Sequence, residues 1–93
     1  MRNLERTGKI RACLEAAFKP TRLEVEDESH LHAGHAGAAG GMGHFRVRIV
    51  SAEFAGLTAV ARHRRIYAAL AELLKTDVHA LAIDARAPDE QSG

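Results

Sequence analysis

Residues 44–83 read HFRVRIVSAEFAGLTAVARHRRIYAALAELLKTDVHALAI. Residues 44–50 alternate, with Phe45, Val47 and Ile49 set against Arg46 and Arg48. That pattern is a half-buried strand. Phe54 and Gly56 mark a turn. Val60, His63, Ile66, Tyr67, Leu70, Leu73 and Leu74 then recur at helical spacing. The spacing predicts a short turn followed by a long helix from about Ala61, with these residues as its core stripe. Thr76 and Asp77 make the exit. Residues 78–85 form a second strand, with Leu81 and Ile83 inward and Asp84 outward. A crossover that contains a helix favours parallel pairing of the two strands.

Upstream, residues 3–18 predict an amphipathic helix. Ile10, Cys13, Leu14, Ala17 and Phe18 share one face, and Glu5, Arg6, Lys9, Arg11 and Glu15 take the rest. Lys19 suits a helix C-terminus and Pro20 stops the helix. Residues 22–27 alternate, with Leu23 and Val25 against Arg22, Glu24 and Glu26. Glu24 and Glu26 are placed to pair with Arg46 and Arg48 across an antiparallel pair. Such exposed pairs are worth well under about 1 kcal/mol each. Residues 28–43 join the two strands and hold five Gly between positions 34 and 43. That composition argues for a mobile connection. Each strand has one apolar face, so the helices must cover that face alone. The expected fold is a two-layer α+β domain with a three-stranded mixed sheet. It spans residues 1–87, with a flexible polar tail at 88–93.

With 93 residues the chain is one domain's worth. Aromatics are few and Trp is absent, so the core should be aliphatic. Thirteen basic and twelve acidic residues nearly cancel, which gives no electrostatic argument for a nucleic-acid binder. The one Cys, Cys13, excludes an internal disulfide and fits a reducing compartment. No signal-like or bilayer-spanning apolar run is present in the sequence, so a soluble cytoplasmic protein is the expectation.

Six His are spread unevenly over the chain. His79 sits where the chain leaves a turn and enters a strand. It reads either as a strand-edge His bonded to backbone or as a ring facing solvent or a metal. His30, His32 and His35 lie in the Gly-rich segment. They read as a polar loop or as imidazoles able to meet a soft or borderline metal without strain. His63 falls on the inward stripe and reads as a structural His bonded to a backbone carbonyl. His44 is a strand-end residue near the loop. Arg62, Arg64 and Arg65 are expected on the exposed side of the helix start. They form either a solvated face or a contact for an acidic partner or for phosphate. No nucleophile elbow, phosphate-binding Gly loop or HExxH motif occurs, so nothing points to catalysis.

Several pieces, in order, resemble the BolA family. They are LEVEDES followed by His32, the strand HFRVRIVS (residues 44–51) and Phe54 with Gly56. Arg62, His63 and Arg64 with Tyr67 and Leu70 follow, then VHALAI (residues 78–83). The resemblance covers about two thirds of the chain and implies an αββααβ arrangement related to the type II KH fold. It makes His79 the counterpart of an iron–sulfur cluster ligand. It makes His32 the matching loop ligand, with His35 as alternate, and places the chain in the His-bearing group. Two His do not complete an iron–sulfur site, and Cys13 lies on the buried stripe. The resemblance supplies the remainder. BolA proteins pair with monothiol glutaredoxins, whose Cys and bound glutathione complete a shared [2Fe-2S] cluster. The implied protein is a non-enzymatic adaptor, a monomer alone and a heterodimer with its partner, acting in cluster trafficking or in iron and redox regulation. The alternative is a DNA-binding transcriptional regulator, which would use the KH-like fold and the basic helix face. The KH signature loop is not found between the two central helices.

Overall fold

The structure is a computed structural model that describes residues 2–28, 43–76 and 78–90. The Gly-rich connection, with His30, His32 and His35, lies outside the described residues, as does Asp77. The elements are α1 (Arg2–Phe18), β1 (Arg22–Asp27), β2 (Gly43–Val50), α2 (Ala59–Ala69), α3 (Ala71–Thr76) and β3 (Val78–Arg86). Two single 3₁₀ turns, Ala52–Phe54 and Pro88–Glu90, join this frame. The fold is α+β, three helices on a three-stranded mixed sheet, as the alternation and helical spacing predict.

The sheet order is β1-β2-β3. β1 pairs antiparallel with β2, which sets Leu23 against Ile49 and Val25 against Val47. β2 pairs parallel with β3, which sets Phe45 against Leu81 and Val47 against Ile83. Alternation therefore puts all these apolar residues on one face. α1 lays Ile10, Leu14 and Phe18 onto that face, and all three are buried. The spacing of four residues places them on one helical stripe. Cys13 is half-buried against the same core, as expected, while Ala17 is exposed.

α1 ends at Lys19, whose φ of 47° lies in the left-handed region. Its N–H donates to the Glu15 carbonyl at 3.0 Å, which closes the last turn before Pro20. Ser51 ties the end of α1 to the end of β2. Its buried hydroxyl donates to the Phe18 carbonyl at 2.7 Å and accepts from the Glu53 N–H at 3.1 Å. The turn that follows carries Phe54 into the core, where its ring meets Phe18 at a centroid distance of 5.0 Å. Gly56 then turns the chain with φ 78°. Thr58 caps α2, its hydroxyl accepting from the Ala61 N–H at 3.1 Å.

Two expectations for this helical region are corrected. The long helix is interrupted at Leu70, whose backbone (φ −103°, ψ 13°) leaves the helical range. Leu70 is fully buried, so the break carries a core side chain rather than a loop residue. The buried stripe is also rotated. Ile66 and Leu70 are buried, but Val60 is 58% exposed and Tyr67 41% exposed. Arg62 turns inward in their place, at 9% exposure.

Candidate functional site

Four segments meet at one end of the sheet: the end of β1, the start of β2, the start of β3 and both ends of the Gly-rich connection. On one side of that connection, the Glu28 N–H donates to the His44 carbonyl at 2.7 Å. On the other, Gly43 is paired with Val78. One end of that connection, Gly43, is thus fixed beside the first residue of β3, and the other, Glu28, lies across β2 from it.

The β2/β3 ladder is irregular at this point. Gly43 pairs with Val78, and His44 pairs with Ala80. His79 is therefore an extra residue on β3, a bulge between two paired positions. The burial pattern has the same interruption: Val78 and Leu81 both pack on the core, with two residues between them instead of one. A bulge re-aims the chain where it occurs and is often found beside functional sites. The sequence marks His79 as a strand-entry residue, and the irregular register was not legible in it.

Below the bulge lies a shallow depression of about 450 Å³ on the outer sheet face, lined by Glu28, His44, Arg46, Ala80 and Ala82. The small side chains of Ala80 and Ala82 make its floor. Arg46 and Glu28 make its charged wall, with Nε donating to the carboxylate at 2.9 Å. Glu28 holds the Arg46 guanidinium above its ordinary pKa through that hydrogen bond and its charge. His44 is half-buried at the rim. Its place at the strand end follows the sequence reading, but its pairing beside the bulge does not. Across the rest of the outer face, Arg48 pairs with Glu24 at 3.6 Å and Glu26 at 3.7 Å. The expected Glu–Arg ladder is present, shifted so that Arg46 takes Glu28. A different depression, lined by Arg22, Glu24, Arg48, Asp84 and Arg86, holds only mutually paired charges at the far end.

The basic helix face is smaller than the sequence suggests. Arg62 is not on the exposed side. Its Nη1 and Nη2 donate to the two carboxylate oxygens of Glu90, and Nη1 also donates to the Ala85 carbonyl at 3.0 Å. The stem of an Arg is apolar enough to follow the core stripe while the guanidinium finds a carboxylate. Arg64 and Arg65 are exposed, and Arg65 lies 3.7 Å from Glu53. His63 is half-buried on α2, and no ring-to-backbone hydrogen bond of His63 occurs among the described residues.

The same contact changes the reading of the C-terminus. Pro88–Glu90 is a 3₁₀ turn held at Glu90, so the described part of the expected tail is docked. Glu90 also accepts from the Ala87 N–H at 3.2 Å. The hydrogen bond from Arg62, then that from Ala87, with the charges of Arg62 and Arg86, lowers the Glu90 carboxyl from 4.5 to about 2. Glu90 in turn holds Arg62 above its ordinary value.

Among the described residues no helix is long and apolar enough to cross a membrane. No group of three or more His, Cys, Asp or Glu is gathered as a metal site among them. Cys13, on α1, is half-buried and packs against the core.

Comparison with known proteins places this frame. The family pattern described as BolA-like protein matches residues 14–90. The chain is 48% identical over 87 residues to SufE-like protein 1, chloroplastic/mitochondrial, of Arabidopsis thaliana, covering 88% of this chain and 24% of that protein. It is 52% identical over 79 residues to human BolA-like protein 1, covering 85% of this chain and 56% of that protein. The chain thus spans about a quarter of the first relative's length and about half of the second's. The solved BolA domain of SufE1 from Arabidopsis thaliana superposes with a TM-score of 0.82 at 46% identity, over 92% of this chain and 95% of that one. A pattern that runs from α1 to the docked C-terminal turn, relatives near half identity and a shared fold lead to one conclusion: the chain belongs to the BolA family.

Proposed function

We propose that this BolA-type protein is a non-enzymatic adaptor that binds a monothiol glutaredoxin and shares a [2Fe-2S] cluster with it. His79 is the preorganised ligand on this chain. A loop imidazole, His32 or in its place His35, is the second. The observation that carries this reading is the meeting of the bulge at His79 with both anchored ends of the His-bearing segment. His32 is four residues from Glu28, and an extended chain reaches about 3.3–3.6 Å per residue. That reach spans the distance between neighbouring strands, about 4.8 Å each, from β1 across β2 to β3.

The donor set supports a shared cluster rather than a resident one. Iron–sulfur clusters take mostly thiolate ligands, with His accepted in mixed sites. This chain has six His and one Cys, and that Cys packs against the core. The missing thiolates belong to the partner, in this reading the glutaredoxin Cys and its glutathione. The bound cluster supplies electron transfer and transferable iron and sulfide. This chain's part is to present His79 on a strand, carry a loop imidazole to it, and keep the floor of Ala80 and Ala82 open for approach. The adaptor acts in the cytoplasm in this reading, as a monomer until the partner binds.

The test is to mix the colourless protein with a cluster-loaded monothiol glutaredoxin and follow visible absorption and circular dichroism. The reading expects a new cluster spectrum at one-to-one stoichiometry. An unchanged glutaredoxin spectrum at saturating protein would overturn it.

A further inference from the structure

The two edges of the sheet are treated differently. On β1 the outward carbonyl of Leu23 is taken by Arg11 Nη1 at 3.1 Å, and the strand is lined with Arg22, Glu24 and Glu26. Charges of that density discourage edge-to-edge pairing. On β3, residues 78–83 carry no Asp, Glu, Lys or Arg. Pairing with β2 uses the N–H and C=O of the even residues; the Arg86 carbonyl, for instance, accepts from the Ser51 N–H at 2.9 Å. Leu81, Ile83 and Ala85 therefore turn their N–H and C=O to the open edge. Among the described residues Ala85 is met there by Arg62, which Glu90 holds in place.

We propose that the β3 edge is a latched self-pairing surface: when Glu90 releases Arg62, residues 87–90 extend β3 and the strand pairs antiparallel with β3 of a second copy, centred on Ala85. Three features of the chain favour that occupant. Arg62 Nη1 occupies the Ala85 carbonyl, the acceptor at the centre of the pairing, so the latch and the dimer compete for one atom. Centring on Ala85 sets Asp84 opposite Arg86 of the second copy, twice by symmetry, which is charge-complementary. The same register places Pro88 at an even position, where its missing N–H is not needed for the new ladder. Within one copy Asp84 and Arg86 already meet at 3.0 Å, so the exchange trades like for like. The latch is also imperfect, since the Arg62 Nε is buried and has no acceptor among the described residues. This inference does not depend on the cluster reading.

Sedimentation of the full chain tests it. The wild type is expected to be monomeric, and Glu90→Ala is expected to double in mass with rising concentration. Adding Asp84→Arg sets like charges opposite one another and should return the variant to monomer. Adding Arg86→Asp as well should restore the dimer. Amides of Leu81, Ile83 and Ala85 should exchange more slowly in the dimer than in the wild type. If Glu90→Ala does not fold, Glu90→Gln, close in shape, carries the same series. A folded latch variant that stays monomeric, or a dimer indifferent to Asp84→Arg, would overturn the proposal.

Discussion

Arg62 and Glu90 show how one pair can redirect a helix. Their contact is a carboxylate–guanidinium fork of two hydrogen bonds. Glu90 has a folded-state pKa of about 2 against an ordinary 4.5, so it is a depressed carboxyl. Its contribution to stability is fully present above about pH 4.5 and is lost as pH falls through that value toward about 2. The charged groups around it are Arg62, Arg86 and Asp89. Thermal midpoints measured across that window should fall more steeply for the wild type than for Glu90→Gln, and equal slopes would remove Glu90 as the cause. Gly56 is a second single-residue device. Its φ of 78° suits Gly, and a Cβ built there meets nothing within 4 Å. Gly56→Ala should thus cost about 1–2 kcal/mol through backbone strain alone, read as a lower urea midpoint without a change in slope. Gly56 was legible as a turn residue in the sequence. Arg62 was not, because its carboxylate lies 28 residues away and no local pattern announces that pairing.

Strands were more legible than helices. β1, β2 and β3 alternate, and a period of two leaves only one face to bury, so their inward residues followed directly. The helical spacing makes one stripe of Val60, His63, Ile66, Tyr67, Leu70, Leu73 and Leu74, and the fold buries Ile66 and Leu70 of it, exposes Val60 and Tyr67, and turns Arg62 inward. Packing chose, since Arg62 reaches Glu90 only when Ile66 faces the sheet. Ile66→Ala should therefore cost about 2–5 kcal/mol, as a fully buried aliphatic does. Val60→Ala should stay within about 0.5 kcal/mol, as an exposed site does. Chemical denaturation of both variants checks the contrast, and similar losses would restore the original stripe. The bulge at His79 was illegible for a further reason. It exists only in the register of β3 against β2, which a single strand does not encode.

At the scale of the molecule, the sheet separates two ends with different chemistry. One end holds the Arg22, Arg48 and Arg86 charges, neutralised by Glu24, Glu26 and Asp84. The other gathers His44, the bulge at His79 and the anchors of the segment bearing His30, His32 and His35. His44 and the backbone of His79, distant in the sequence, are brought to that end only by the folded sheet. The near-neutral charge of the chain and the inward turn of Arg62 give the nucleic-acid alternative little surface to use. The shared-cluster reading rests on His79 above the other imidazoles, because a strand residue is held in place and a loop residue has substitutes. The direct measurement is the visible circular dichroism of His79→Ala, His32→Ala and His63→Ala, each mixed with the same cluster-loaded glutaredoxin and compared with its melting curve. The account predicts that His79→Ala loses the shared-cluster signal most, His32→Ala loses less, and His63→Ala shifts the melting curve instead. A wild-type spectrum and cluster lifetime in His79→Ala would contradict it.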